Sequence, residues 1–234
     1  MEPMTIQTMI KILGRGSLFL ILFLGFAVLS IAQENDFQLW TDISVSKELS
    51  KKWDLSFEQN LRFGNNVTRL DKSYSNISVG FNPADFLKLA LMYRFVIKDQ
   101  EDYYGLGHTV AFDATLKHKF NRLKLSMRNR FLLKYSEVLA KDDGKIPDRY
   151  YRTKVEVTYN VKKFPVDPYF SIETFLNCPR GEHPYFDAMR TSVGAEYSLS
   201  KRKSVTLYWL NEWGLNDQLG MNDYVLGLSY SYSF

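Results

Sequence analysis

From Phe37 onward, apolar and polar residues alternate with a period of two, in runs longer than a soluble sheet ordinarily uses. Trp53, Leu55, Phe57, Leu61 and Phe63 fall on one face of the first clear run. Asp54, Ser56, Glu58, Asn60 and Arg62 fall on the other, and Gln59 is the polar break in the apolar face. The runs Phe86–Lys98, Leu123–Tyr135, Tyr151–Val161 and Tyr224–Phe234 repeat the pattern. Further strands are expected at 37–48, 73–82, 108–120, 168–177, 188–199 and 204–215, eleven in all. Many reach about 11–13 residues, against about 5–6 for an average soluble strand and about 9–11 for a tilted strand that crosses a bilayer.

The connections alternate too. Short ones are expected at 50–52, 82–85, 121–122, 162–167 and 200–203. Longer ones are expected at 64–72, 98–107, 136–148, 177–187 and 216–222. Short turns on one rim and long loops on the other are the layout of an outer-membrane barrel, with the turns periplasmic and the loops extracellular.

Alternation does not by itself say which face is outside. Volume argues for apolar outward. Each long strand carries five or six large apolar side chains on one face, many of them among the 17 Phe, 15 Tyr and 4 Trp. Pointed inward, they would overfill a barrel of about ten to twelve strands, since about eight strands already leave an interior that side chains fill. Pointed outward, they meet acyl chains, and the closed sheet leaves no unpaired backbone edge. Trp53, Phe63, Phe86, Phe120, Tyr135, Tyr151, Tyr224 and Tyr232, near strand ends, suit the two interfacial aromatic girdles. The competing reading is the core of an ordinary soluble sandwich. The expected fold is therefore all-β: an antiparallel transmembrane β-barrel of about 10–12 strands. Twelve is preferred over the eleven counted because single-chain bacterial barrels have even strand numbers. If 37–48 lies outside the wall, the count is ten.

The first 32 residues read as an export signal. Lys11 and Arg15 precede the apolar run Leu18–Leu29, and Ser30-Ile31-Ala32 supplies the small residues of a cleavage site before Gln33. Residues 33–234 are then the barrel. No other stretch approaches the roughly 20 apolar residues of a transmembrane helix. The last strand carries Leu228, Tyr230, Tyr232 and Phe234 on one face. This ending resembles that of bacterial barrel proteins. The resemblance implies recognition by the barrel assembly machinery and a final place in outer-membrane lipid of a Gram-negative cell.

The segments Gln38–Phe63, Arg149–Val161 and Pro168–Asn177 together resemble the DUF2490 family, common in Bacteroidota. That resemblance implies a small outer-membrane barrel with no assigned activity, so it carries no catalytic residue over to this chain.

The other face is ionic. Arg62, Arg94, Lys117, Arg128, Arg130, Arg152, Lys154 and Arg190 are expected to line the lumen with Glu58, Asp113, Glu156, Glu173, Glu196 and Glu212. Two roles fit them. They can form cross-strand ion pairs that fill the lumen and fix register, or line a wet path that selects a small solute by charge. A net charge of +4 with no clustered basic stripe gives no argument for nucleic acid. No cofactor is expected: Cys178 is the single cysteine and only His108, His118 and His183 could supply imidazole. A membrane-embedded lipid hydrolase is the rival class, and it needs a serine, a base and an orienting group. No histidine here stands two residues from a serine. His108 and His183 are expected at the loop rim and His118 at the other. A surface adhesin that docks partners through its longer loops is a third reading. The loop Lys141–Lys145 offers too few oxygen ligands for calcium.

Overall fold

A computed structural model describes residues 35–100, 102–136, 145–215 and 222–234. The signal segment expected at 1–32, and residues 141–144 of the acidic loop, lie outside the described residues. Eleven strands follow one another: β1 Asn35–Glu48, β2 Trp53–Gly64, β3 Arg69–Ala84, β4 Leu87–Asp99, β5 Tyr104–Phe120 and β6 Leu123–Tyr135, then β7 Asp148–Tyr159, β8 Val166–Asn177, β9 Tyr185–Ser200, β10 Lys203–Gly214 and β11 Asn222–Ser233. Each pairs antiparallel with the next. β1 and β11 close the barrel as a parallel pair, in register from Asn35↔Asn222 to Ser46↔Ser233.

The preference for twelve strands is therefore corrected to eleven, with β1 in the wall. An even count is required only when the first and last strands pair antiparallel. Parallel pairing, slightly weaker per residue, still satisfies both edges, and odd counts are known among transmembrane barrels.

The contrast between the rims is also smaller than expected. Turns at 49–52, 85–86, 121–122, 160–165 and 201–202 share one rim. On the other rim, the connections expected at 64–72 and 98–107 shrink to 65–68 and 100–103. Asn65, Asn66 and Val67 all take positive φ, at 51°, 54° and 66°. The Asn66 backbone N–H donates to Asp36 Oδ1 at 2.8 Å, which pins this tight turn to β1. Only 136–147, 178–184 and 215–221 remain longer, all on the arc from β6 to β11.

The outer surface is apolar. Ile43, Leu91, Val193 and Leu207 are each more than half exposed. The polar interruptions on that face are satisfied by neighbouring strands. Gln59 Nε2 donates to Ser73 Oγ at 2.8 Å, and Ser75 Oγ donates to Gln59 Oε1 at 2.6 Å. Asn129 Oδ1 accepts from the Tyr151 hydroxyl at 2.7 Å and from Thr153 Oγ1 at 3.1 Å. Such pairing is what a face in contact with hydrocarbon demands of its polar groups.

The inner face is mixed. Two small apolar clusters, Trp40–Leu210–Val225 and Met92–Ala111–Leu132, interrupt its polar lining. Two glycines make room for tyrosines. Gly194 faces Tyr169 and Gly227 faces Tyr208 across the ladder. A Cβ on Gly194 would come 2.8 Å from Tyr169 Cε1, and one on Gly227 would fall inside the Tyr208 ring. A bare backbone under an aromatic ring is a register device in sheets. Gly227→Val should therefore destabilise the barrel by about 1–3 kcal/mol through overpacking. Adding Tyr208→Ala should return most of that loss, as read by denaturant unfolding in detergent. Equal stability of wild type and Gly227→Val would refute the packing account.

Candidate functional site

The candidate site is the interior at mid-height, where strand parity collects the ionic side chains. Asp113 on β5 and Arg130 on β6 are register partners. Arg130 donates through Nε to Asp113 Oδ1 and through Nη2 to Oδ2, both at 2.6 Å. This fork-to-fork geometry is the strongest form of the pair, and both residues are only 8% exposed. Glu173 on β8 is shared by two cations: Arg128 Nη2 at 2.8 Å and Arg152 Nη2 at 2.9 Å. Arg190 on β9 pairs with Glu212, its register partner on β10. Lys154 pairs with Glu156 at 2.8 Å on the same strand.

Neutral donors hold the remaining acids. Glu58 Oε1 accepts from Asn60 Nδ2 at 2.8 Å and from Asn76 Nδ2 at 3.0 Å. Asp42 accepts from Asn60, from Ser229 Oγ at 3.1 Å and from the Tyr208 hydroxyl at 3.2 Å.

Aromatic rings separate the arginines. The Arg94 guanidinium lies 4.5 Å from the Tyr74 ring, and Arg62 lies 4.6 Å from the same ring. Arg62 also sits 3.7 Å from Trp40, and Arg190 sits 5.2 Å from Trp40. Phe175 then takes Arg190 at 4.5 Å and Arg152 at 4.1 Å. Four arginines thus alternate with three rings in one arc: Arg94, Tyr74, Arg62, Trp40, Arg190, Phe175, Arg152. Interleaving keeps like charges apart and adds a cation–π attraction of about 0.5–2 kcal/mol per contact. A cavity of about 280 Å³ lies beside the arc, lined in part by Arg62, Arg94, Arg128, Arg130 and Arg152.

Of the fourteen residues expected in the lumen, Asp113, Arg130 and Glu173 are buried. Glu58, Arg62, Arg94, Arg128, Arg152, Lys154, Glu156, Arg190 and Glu212 are half-buried on the inner face. Lys117 and Glu196 share the inward parity but lie exposed toward the short-turn rim. Sequence reading placed Asn60 on the polar face with Glu58 and Arg62, but missed Asp42, Asn76, Trp40, Tyr74 and Phe175. The signal available was parity: Tyr74 shares a face with Asn76 and Ser78, and Trp40 shares one with Asp42.

The histidines stay apart from this site. His108 is on the outer wall, with Nδ1 hydrogen-bonded to the Tyr93 hydroxyl and its ring beside Tyr93 and Phe95. His118 is exposed at the short-turn end, and His183 is exposed in the β8–β9 connection. Among the described residues, no group of three His, Cys, Asp or Glu could hold a metal ion.

A closed meander of long strands, apolar outside and ionic within, defines a barrel of the outer-membrane type. The chain belongs to the DUF2490 family, described as a protein of unknown function, and the match spans residues 37–219. Two solved barrels share the fold. LpxR from Salmonella typhimurium aligns with a TM-score of 0.52 at 9% identity, over 82% of this chain and 87% of that one. The beta domain of the Bordetella autotransporter BrkA aligns with a TM-score of 0.50 at 9% identity, over 80% and 86%. At that identity the likeness concerns the fold alone. No curated protein gives a significant sequence match.

Removing one member of the central pair should be costly. Asp113→Ala strands a buried guanidinium and should lower stability by about 3–5 kcal/mol. Asp113→Leu combined with Arg130→Met should recover most of it. Unfolding midpoints in denaturant check this: a single variant as stable as wild type would show that the pair is hydrated.

Proposed function

We propose that this protein is an outer-membrane barrel whose lumen is closed at mid-height by its own ion pairs. It serves as a structural and solute-binding barrel rather than as an open passive channel. The exposed apolar wall and strands of 12–17 residues support the membrane reading. So do the two barrels of similar fold. In this reading the N-terminal 32 residues direct export and are removed, and the last strand, ending at Phe234, engages the barrel assembly machinery.

The observation that carries the closed lumen is the burial of Asp113, Arg130 and Glu173, at 8%, 8% and 7% exposure. A water-filled path through the barrel would wet the charges at its waist. Here those charges are spent on one another, and the rings of Trp40, Tyr74 and Phe175 occupy space between the arginines. The interior ion pairs also hold register, since Asp113–Arg130 and Arg190–Glu212 are each direct cross-strand partners.

Planar bilayers separate the readings. The refolded full barrel should give no steady ohmic steps at either polarity. Reproducible open-channel steps in the wild-type protein would overturn the closed lumen and restore the channel.

A further inference from the structure

Arg62 and Arg94 differ from the other arginines of the arc. Arg128 and Arg152 meet Glu173, Arg130 meets Asp113 and Arg190 meets Glu212. Among the described residues, neither Arg62 nor Arg94 has a carboxylate within ion-pair distance. Both are held instead by aromatic faces: Trp40 and Tyr74 for Arg62, Tyr74 for Arg94. Arg94 Nε donates to Asn76 Oδ1 at 2.7 Å, whereas Arg62 Nε is buried without a partner.

Ring contacts fix the planes of the two guanidinium groups and consume none of their N–H donors, of which each has five. The acids beside the same cavity are already engaged. Asp113 is taken by Arg130, and Asp42 and Glu58 by neutral amides and hydroxyls. The cavity wall carries five arginines against three carboxylates. Asp42 and Glu58 line the same cavity without pairing directly to either guanidinium, and an inward guanidinium whose N–H groups meet no acceptor is costly. An oxyanion in the cavity that both line, accepting from their remaining N–H groups, would offset that cost.

The chemistry of the occupant follows. Two rigid, planar forks suit a tetrahedral oxyanion that accepts bidentate bonds from each. A volume of about 280 Å³ is at the small end for a ligand pocket and suits a small anion. We propose that the cavity lined by Arg62 and Arg94 binds a small, free, phosphate-type oxyanion, with the Tyr74 ring in contact with both guanidinium groups. This rests on the closed-lumen reading.

Equilibrium dialysis of the detergent-solubilised full barrel against radiolabelled inorganic phosphate, at constant ionic strength set with chloride, tests it. Saturable binding at one site is expected. Arg62→Met and Arg94→Met should each weaken it at least about tenfold, while Lys51→Met in a short turn should not change it. Folding of each variant is checked by its heat-dependent mobility on gels. If a Met variant does not fold, Arg94→Lys keeps the charge, loses the fork and should still weaken binding. A short-chain phosphatidic acid forms the second arm. Binding of that lipid but not of phosphate would overturn the proposal, as would no saturable binding or unchanged binding in the variants. Failure of the closed lumen is recognised separately, because an open barrel conducts in bilayers whether or not phosphate binds.

Discussion

In the membrane setting proposed for this barrel, charged side chains are excluded from the outer wall, and the rest of the structure follows from where they go instead. Period-two alternation sends every second residue inward, so one choice of face commits Asp113, Arg130, Glu173 and their neighbours to the lumen together. A slip of one residue in any strand would put arginine on the apolar wall. The ion pairs therefore act as register pins as well as filling. The wall can hold this commitment only if it has no edge, which is the role of the parallel pairing between β1 and β11.

Within the lumen the difficulty is an excess of arginine. Glu173 accepts two of them, and Asp113 and Glu212 one each. The aromatic rings absorb part of the remainder. Trp40 and Tyr74 separate Arg190, Arg62 and Arg94, which would otherwise repel one another at close range. A site with oriented guanidinium groups that pair directly with no carboxylate among the described residues arises as a consequence of filling a barrel this way. It lies on β2 and β4, away from the Glu173 cluster on β6, β7 and β8, where the nearby carboxylates Asp42 and Glu58 are hydrogen-bonded to neutral side chains rather than to arginine.

Much of this was legible in the residues. All eleven strands were visible because each spans enough residues for alternation to be unambiguous. The charged lumen residues could be named because an Arg or Glu between two large apolar neighbours has one available face. Three things were not legible. The strand number was drawn toward twelve by a rule about even barrels, which says nothing of a parallel closure. The turn at 65–68 was overestimated because Asn65 and Asn66 read as loop composition, whereas they supply the positive φ of a tight turn. Trp40 and Tyr74 were missed because aromatic residues were assigned to the lipid girdle, although their parity with Asp42 and Asn76 places them inside.

The most direct test is side-chain orientation along one strand. In a Cys178→Ser background, single cysteines from Leu89 to Phe95 on β4 can each carry a spin label in reconstituted vesicles. Collision with oxygen dissolved in the bilayer should be high at 89, 91, 93 and 95 and low at 90, 92 and 94, matching Leu91 at 59% and Met92 at 6% exposure. Strong collision with a water-soluble nickel chelate at 89, 91, 93 and 95 would mean the apolar face meets water, and the account would be wrong at its root.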